Sequence, residues 1–213
     1  MTVQRPELVG TKPLVLFKTG VLGCHPYDFI DELADVMGAA VVSSDEVRQA
    51  AVHERGDATD PFRIRNDDVQ REIRLRVGTL LGGIGSSFVI VDAFYNSPRT
   101  RDAHIGTFAR DNWAHSVGMN FTTPHDLSLG RVKDWVFAGQ VGRFTAQEWE
   151  QASRSPVDVS RFMSETVEPI ADEELGAPTS GVDYAIDLDG RSNTIELVAS
   201  AVQKLETLGL VKA

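Results

Sequence analysis

Two short, unbroken apolar runs constrain this chain more than any other feature of its sequence. Residues Pro13 to Phe17 read PLVLF, and residues Phe88 to Val91 read FVIV. A strand with one wet face alternates apolar and polar residues, so a run without alternation predicts a strand covered on both faces. That is the mark of a parallel sheet held between two helical layers. The first run passes into Lys18, Thr19 and Gly20, and Asp92 follows the second.

The segments between these runs supply the covering layers. From Asp28, the residues Phe29, Ile30, Leu33, Val36 and Met37 recur at helical spacing and Gly38 stops the helix. Ala39 to Val42 reads as a second strand. Ser43 or Ser44 caps a helix opening at Asp45, with Glu46 placed as in a capping box. That polar helix breaks into a loop at Gly56 and Pro61. A longer helix is predicted over Asp67 to Leu81, ended by Gly82 and Gly83, and another over Arg99 to Asn112. Val117 to Phe121 reads as a strand and Tyr184 to Leu188 as an edge-type strand. Asn193 or Thr194 then opens an amphipathic helix offering Ile195, Leu197, Val198, Val202, Leu205 and Leu208 to the core.

Strand and helix thus alternate, which predicts a three-layer α/β fold with ligands beyond the carboxyl ends of the strands. Gly20 to Asp28, Asp45 and Asp92 fall along that edge. Residues Leu129 to Glu150 carry Arg131, Lys133, Arg143 and two tryptophans, a composition that suits a lid over the edge or a plain helical hairpin.

Composition excludes broad classes. The 213 residues hold 21 Lys and Arg against 31 Asp and Glu, a net charge of −10, which argues against gripping nucleic acid or an anionic membrane through a general basic surface. The length suits a single domain over 1–213. Cys24 is the single cysteine, so neither an internal disulfide nor a Cys-rich zinc site is available, as expected in a reducing compartment. The apolar run near the N-terminus is too short to span a bilayer and carries no cleavable signal pattern, so a cytoplasmic protein is expected.

The order of pieces also has a familiar look. With GVLGCHPYD (Gly20 to Asp28), VVSSDEVR (Val41 to Arg48) and VIVDAFYNSPRTR (Val89 to Arg101), the chain resembles the small P-loop kinases related to polynucleotide kinases, zeta toxins and chloramphenicol phosphotransferases, from about Pro13 to Leu208. The resemblance implies a parallel sheet flanked by helices, with a short helical lid at 129–150. It implies that Gly20, Gly23, Cys24 and His25 belong to a phosphate loop, that Asp45 contacts a substrate hydroxyl, and that Asp92 is linked to a metal. The stretch IDLDGRSNTIELV, with Arg191, would border adenine. ATP and Mg²⁺ are the cofactors it implies, and a nucleotide or a small hydroxylated molecule the partner.

The phosphate loop departs from its pattern. In G-x-x-x-x-G-K-[ST], backbone N–H groups cradle phosphate, the lysine reaches the β and γ oxygens, and the hydroxyl holds Mg²⁺. Here Gly20 fits, but His25, Pro26 and Tyr27 replace the second glycine, the lysine and the hydroxyl. Proline removes a cation and a backbone donor together. His25 brings a Cβ to a position that often needs positive φ.

Replacement cations would have to come from elsewhere. Lys18 reads first as an ordinary surface charge; Arg131 and Arg143 of the lid are the other candidates, joining Asp45 as candidate catalytic residues. Asp45 has a second reading within its capping turn. Cys24, His25, Asp28, Asp45 and Asp92 admit a weak metal-site reading without supporting spacing. His104, His115 and His125 are scattered. The cluster of Arg63, Arg65, Arg71, Arg74 and Arg76 reads as a solvated face, with a phosphate-bearing ligand as the alternative. Three functions follow: a degenerate kinase-like protein binding a nucleotide-like ligand or a protein partner, an active phosphotransferase using displaced cations, or a metal-dependent or structural protein.

Overall fold

A computed structural model of the chain describes residues 5–20, 23–55, 64–95, 101–137 and 181–212. Strand β1 (Glu7–Leu8) precedes β2 (Leu14–Thr19), helix α1 (Phe29–Met37), β3 (Ala40–Ser43), α2 (Ser44–Arg55) and α3 (Asn66–Gly78). Then come β4 (Phe88–Phe94), α4 (Thr107–Asp111), β5 (His115–Thr122), α5 (His125–Phe137), β6 (Tyr184–Asp189), α6 (Thr194–Thr207) and β7 (Val211–Lys212).

Five strands form one parallel sheet in the order β3-β4-β2-β5-β6. Both apolar runs lie at its centre: Leu14 to Phe17 and Val89 to Val91 are each at most 1% exposed. Alternate residues of each run serve opposite layers. Leu14, Leu16, Phe88 and Ile90 pack with Phe29, Leu33 and Met37 of α1 and with Leu197, Ala201 and Leu205 of α6. Val15, Phe17, Val89 and Val91 pack with Val47 of α2, with Val69, Ile73 and Val77 of α3, and with Ala109 of α4. Burying a side chain of this size contributes about 1.5–3 kcal/mol, so the two layers account for most of the driving force. A small antiparallel ribbon, β1 with β7, ties the two ends of the described chain together.

Several boundaries differ from expectation. The glycines at 82 and 83 do not end the third helix; it runs on as a π-helical turn over Thr79–Ile84 and stops at Gly85, whose φ is 72°. Ile195 is 82% exposed and Leu208 39%. Ile195 lies about 200° round the helix from Leu197, off the face that Leu197, Ala201 and Leu205 present, and Leu208 is already the C-cap. Asn193 closes α6 with the full capping box: its side chain accepts from the Glu196 N–H, and the Glu196 carboxylate accepts from the Asn193 N–H. The helix expected from residue 129 begins at His125, and the remainder of the expected lid lies outside the described residues.

The connection leaving β2 leads to β3 on one side of the sheet, while the one leaving β5 leads to β6 on the other. β2 and β5 are neighbours, so a crevice opens between their carboxyl ends, where open α/β sheets hold ligands.

Candidate functional site

That crevice is built on the loop after β2. Gly20 and Gly23 have φ of 129° and 79°, conformations that glycine adopts at little cost. A Cβ on Gly23 would overlap the carbonyl oxygen of Ser128, so the backbone of α5 lies directly on the loop. Val132, also on α5, is 1% exposed beside it. The expected left-handed position is therefore Gly23 and not residue 25. Among the described residues Trp113 is the one non-glycine with positive φ, so His25 carries no such strain.

Cys24 and His25 both turn into the core. Burial pushes the Cys24 thiol up to about 12, and its carbonyl accepts a 2.6 Å hydrogen bond from Thr123 Oγ1. The His25 ring lies 5.4 Å from Phe29 and 5.0 Å from Phe121. Its Nδ1 is 2.7 Å from the carbonyl of Pro26; a carbonyl only accepts, so Nδ1 carries the proton. Desolvation, aided by the positive charge of Lys18, lowers the imidazole to about 3, so it is neutral near pH 7. Helix α1 opens only at Phe29, after Asp28, whose carboxylate accepts a 2.5 Å bond from Thr194 Oγ1. A helix N-terminus favours an anion; here the protein places its own carboxylate there. Tyr27 packs edge-on against Trp135 of α5, ring centres 5.7 Å apart.

The charges of the site meet one strand further into the sheet. Lys18 Nζ donates to Asp92 Oδ1 in an ion pair whose side chains are 9% and 16% exposed. Sequence alternation explains the meeting: Lys18 shares parity with Leu14 and Leu16, and Asp92 with Phe88 and Ile90, so both emerge on the α1 side. A register irregularity between Phe17 and Lys18 accompanies the pair. Lys18 is thus a buried member of the site and not the surface charge expected from sequence. Asp92 stands within β4, opposite Ser43 of β3, because the strand extends to Phe94. Ser44 Oγ donates to the backbone carbonyl of Asp92 at 3.2 Å. Beyond the pair, Thr19 Oγ1 donates to Asn120 Oδ1 at 2.7 Å, and Asn120 Nδ2 to Asp187 Oδ1 at 3.1 Å. Polar side chains therefore cross the carboxyl edge from β4 to β6.

The other predicted residues distribute unevenly. Asp45 is the second residue of α2, half-buried, and its N–H donates to Ser43 Oγ, so Ser43 is the cap. Its carboxylate favours the charged form of Arg48, against the larger opposing effect of burial; Arg48 in turn donates to the Ile64 carbonyl and Asn66 Oδ1. Arg131 reaches the loop, its guanidinium donating to the Gly23 carbonyl at 3.3 Å, and burial lowers its pKa. Arg191 is exposed, in a turn where its N–H donates to Asp189 Oδ1. Arg143 and Arg63 lie outside the described residues. Among the described residues no three His, Cys, Asp or Glu converge where they could hold a metal ion, so the five-residue metal reading fails. Arg71 and Arg76 pair with Asp68 and Glu72 on their own helix, as a solvated face does. His115 packs on Tyr184 at the amino end of β5, and His104 lies near Tyr95.

Asn120 and Ser128 had no place among the residues expected at the site, and Trp135 entered only as one of the two tryptophans of 129–150. For Asn120 there was a signal, a polar residue at the carboxyl end of a buried strand. Nothing in the sequence announced that Ser128 would press its backbone on Gly23.

No protein-family model matches the chain, and no curated protein does. Solved structures resemble it. A presumed kinase from Chloroflexus aurantiacus is 13% identical with a TM-score of 0.61, the match covering 93% of this chain and 99% of that one. TT1252 from Thermus thermophilus is 12% identical with a TM-score of 0.51, over 92% of this chain and 97% of that one. At such identities the likeness concerns the fold. The chain has a kinase-like α/β fold, a five-stranded parallel sheet flanked by helices.

Proposed function

We propose that this protein is a degenerate member of the P-loop-kinase-like scaffold, binding a nucleotide-like ligand or a protein partner at the carboxyl edge of its sheet without Mg²⁺-dependent phosphoryl transfer. The Lys18–Asp92 ion pair carries the proposal. Phosphoryl transfer on this scaffold is chiefly positioning and neutralisation of phosphate charge by a loop lysine and a metal. Here the carboxylate expected to serve the metal is neutralised by an internal ammonium. Position 26, where the loop lysine belongs, is proline. His25 faces the core, and the Asp28 carboxylate at the start of α1 is bonded to Thr194 at the start of α6. Losing one preorganised charge contact typically costs about a hundredfold or more in rate, and this site lacks two.

Asp45, Gly20, Gly23 and Arg131 remain the proposed ligand-side residues, with Arg191 and Arg143 as further candidates, while Cys24 and His25 lend their backbone rather than their buried side chains. Incubation with MgATP and a panel of nucleosides, oligonucleotide ends and small hydroxylated compounds tests the proposal. We expect no transfer above a protein-free control. Robust phosphorylation of any acceptor would overturn it in favour of a phosphotransferase using Arg131 and Arg143, an activity that Arg131→Ala or Arg143→Ala must then abolish.

A further inference from the structure

Away from the crevice, a cavity of about 250 Å³ lies between α2 and α3. Its base is apolar: Val47 of α2, Ile64 just before α3 and Val69 on α3 are each at most 4% exposed. Ala50 and Ala51 line it from α2, and their short side chains leave unfilled the space that larger residues would occupy between two packed helices. The walls are charged. Helix α3 contributes Asp68, Arg71, Glu72 and Arg76, and α2 contributes Glu54. Both guanidiniums are already answered along their own helix, Arg71 donating to Asp68 at 3.2 Å and Arg76 to Glu72 at 2.9 Å. Among the described residues no hydrogen bond or ion pair answers Glu54. The lining therefore holds three carboxylates against two guanidiniums, and the uncompensated charge is that of Glu54.

That balance selects a ligand class. An anion would have to draw an arginine from its carboxylate and lie in a lining with excess negative charge. A metal ion needs several donors converging on one point, and among the described residues no three such groups converge. An organic cation needs one charge partner and covers the apolar base with the rest of its body. Ligand pockets usually measure about 300–1,000 Å³, so a cavity just below that range calls for a small molecule. We infer that the α2–α3 cavity is a binding site for a small organic amine, its ammonium on Glu54 and its hydrocarbon body over Val47, Ile64 and Val69. Lys18, Asp45, Asp92 and Arg131 take no part in the lining, so this site is separate from the crevice and does not depend on what the crevice binds.

The test is a titration of the full ¹⁵N-labelled chain, followed by amide chemical shifts, with benzylamine, an ammonium ion near pH 7, and with benzyl alcohol and benzoate, which share its ring. Benzylamine is expected to shift amides of α2 and α3 saturably at millimolar concentration. Benzyl alcohol should bind about fivefold more weakly, the upper end of what an exposed ion pair contributes, and benzoate not at all. Glu54 is exposed, so Glu54→Gln keeps the fold, and it should bind amine and alcohol alike. Ala50→Leu should fill the hollow and abolish both; if that variant does not fold, Glu54→Gln decides alone. No saturable shift on α2 and α3, benzoate binding as well as benzylamine, or an undiminished amine preference in Glu54→Gln would overturn the site.

Discussion

Replacing Lys18 by methionine removes the cation and leaves Asp92 with a side chain 16% exposed and no ammonium beside it. At contact distance and an effective dielectric near 20, the lost attraction is about 4 kcal/mol. Breaking a buried pair by removing one member costs about 3–5 kcal/mol for the same reason, because a charge is stranded. Asp92→Asn strands the ammonium and is expected to cost a comparable amount. The double variant Lys18→Met/Asp92→Leu strands neither, and its cost should fall well below the sum, with a coupling of about 2 kcal/mol or more. Both residues have other contacts, which is why the cycle and not either single change isolates the pair. With a urea dependence of about 2–3 kcal/mol per molar, a loss of 3 kcal/mol moves the unfolding midpoint by about 1–1.5 M. Urea melts followed by far-UV circular dichroism read this directly. Single variants each costing less than about 1 kcal/mol, with additive effects, would refute the claim that the pair is a buried, mutually neutralising unit.

Further outcomes follow from other parts of the structure. His25 is neutral in the fold, with its pKa lowered from 6.5 to about 3, so below pH 6.5 the unfolded chain binds a proton that the native one does not. Stability from this residue is therefore complete above pH 6.5 and declines toward pH 3, by at most about 1.4 kcal/mol per pH unit; melts of His25→Phe between pH 7 and 4 should show a shallower decline than wild type. Trp113 is 77% exposed at φ 55°, so Trp113→Gly relieves strain while losing little packing, and thermal melts should show a gain of about 0.5–1 kcal/mol. Gly23→Ala drives a Cβ into the Ser128 carbonyl at a positive φ and should cost about 3 kcal/mol. Gly82→Ala, with nothing near its Cβ, should instead stabilise by about 0.5 kcal/mol in the same urea assay.

The strands were legible because burial on both faces writes itself as an unbroken apolar run, and Leu14 to Phe17 and Val89 to Val91 form just such strands. The same rule hid Lys18. A charged residue after such a run reads as the exit of a strand into water, whereas the sheet carries it one residue deeper to meet Asp92, a partner 74 positions away. Capping was readable at Ser43 and Asn193, where the bond spans two or three residues. The β1–β7 ribbon was not, since two-residue strands leave no periodic signal. Gly82 and Gly83 read as a stop, yet the helix widens into a π turn through them, as exposed glycines on the outer side permit. At the site, the loss of the loop lysine was visible in the order of residues. The direction of His25 was not: it depends on Phe29 and Phe121 closing round it, and Phe121 arrives from β5.

The central claim is that an internal ammonium, and not a metal, answers the Asp92 carboxylate. The most direct measurement is the anomalous scattering of Mn²⁺ in crystals of the protein grown with Mn²⁺ and ATP. No manganese peak is expected within coordinating distance of Asp92, and the Lys18–Asp92 pair is expected to be intact. A peak bridging Asp92 and nucleotide phosphate, with Lys18 turned away, would contradict it.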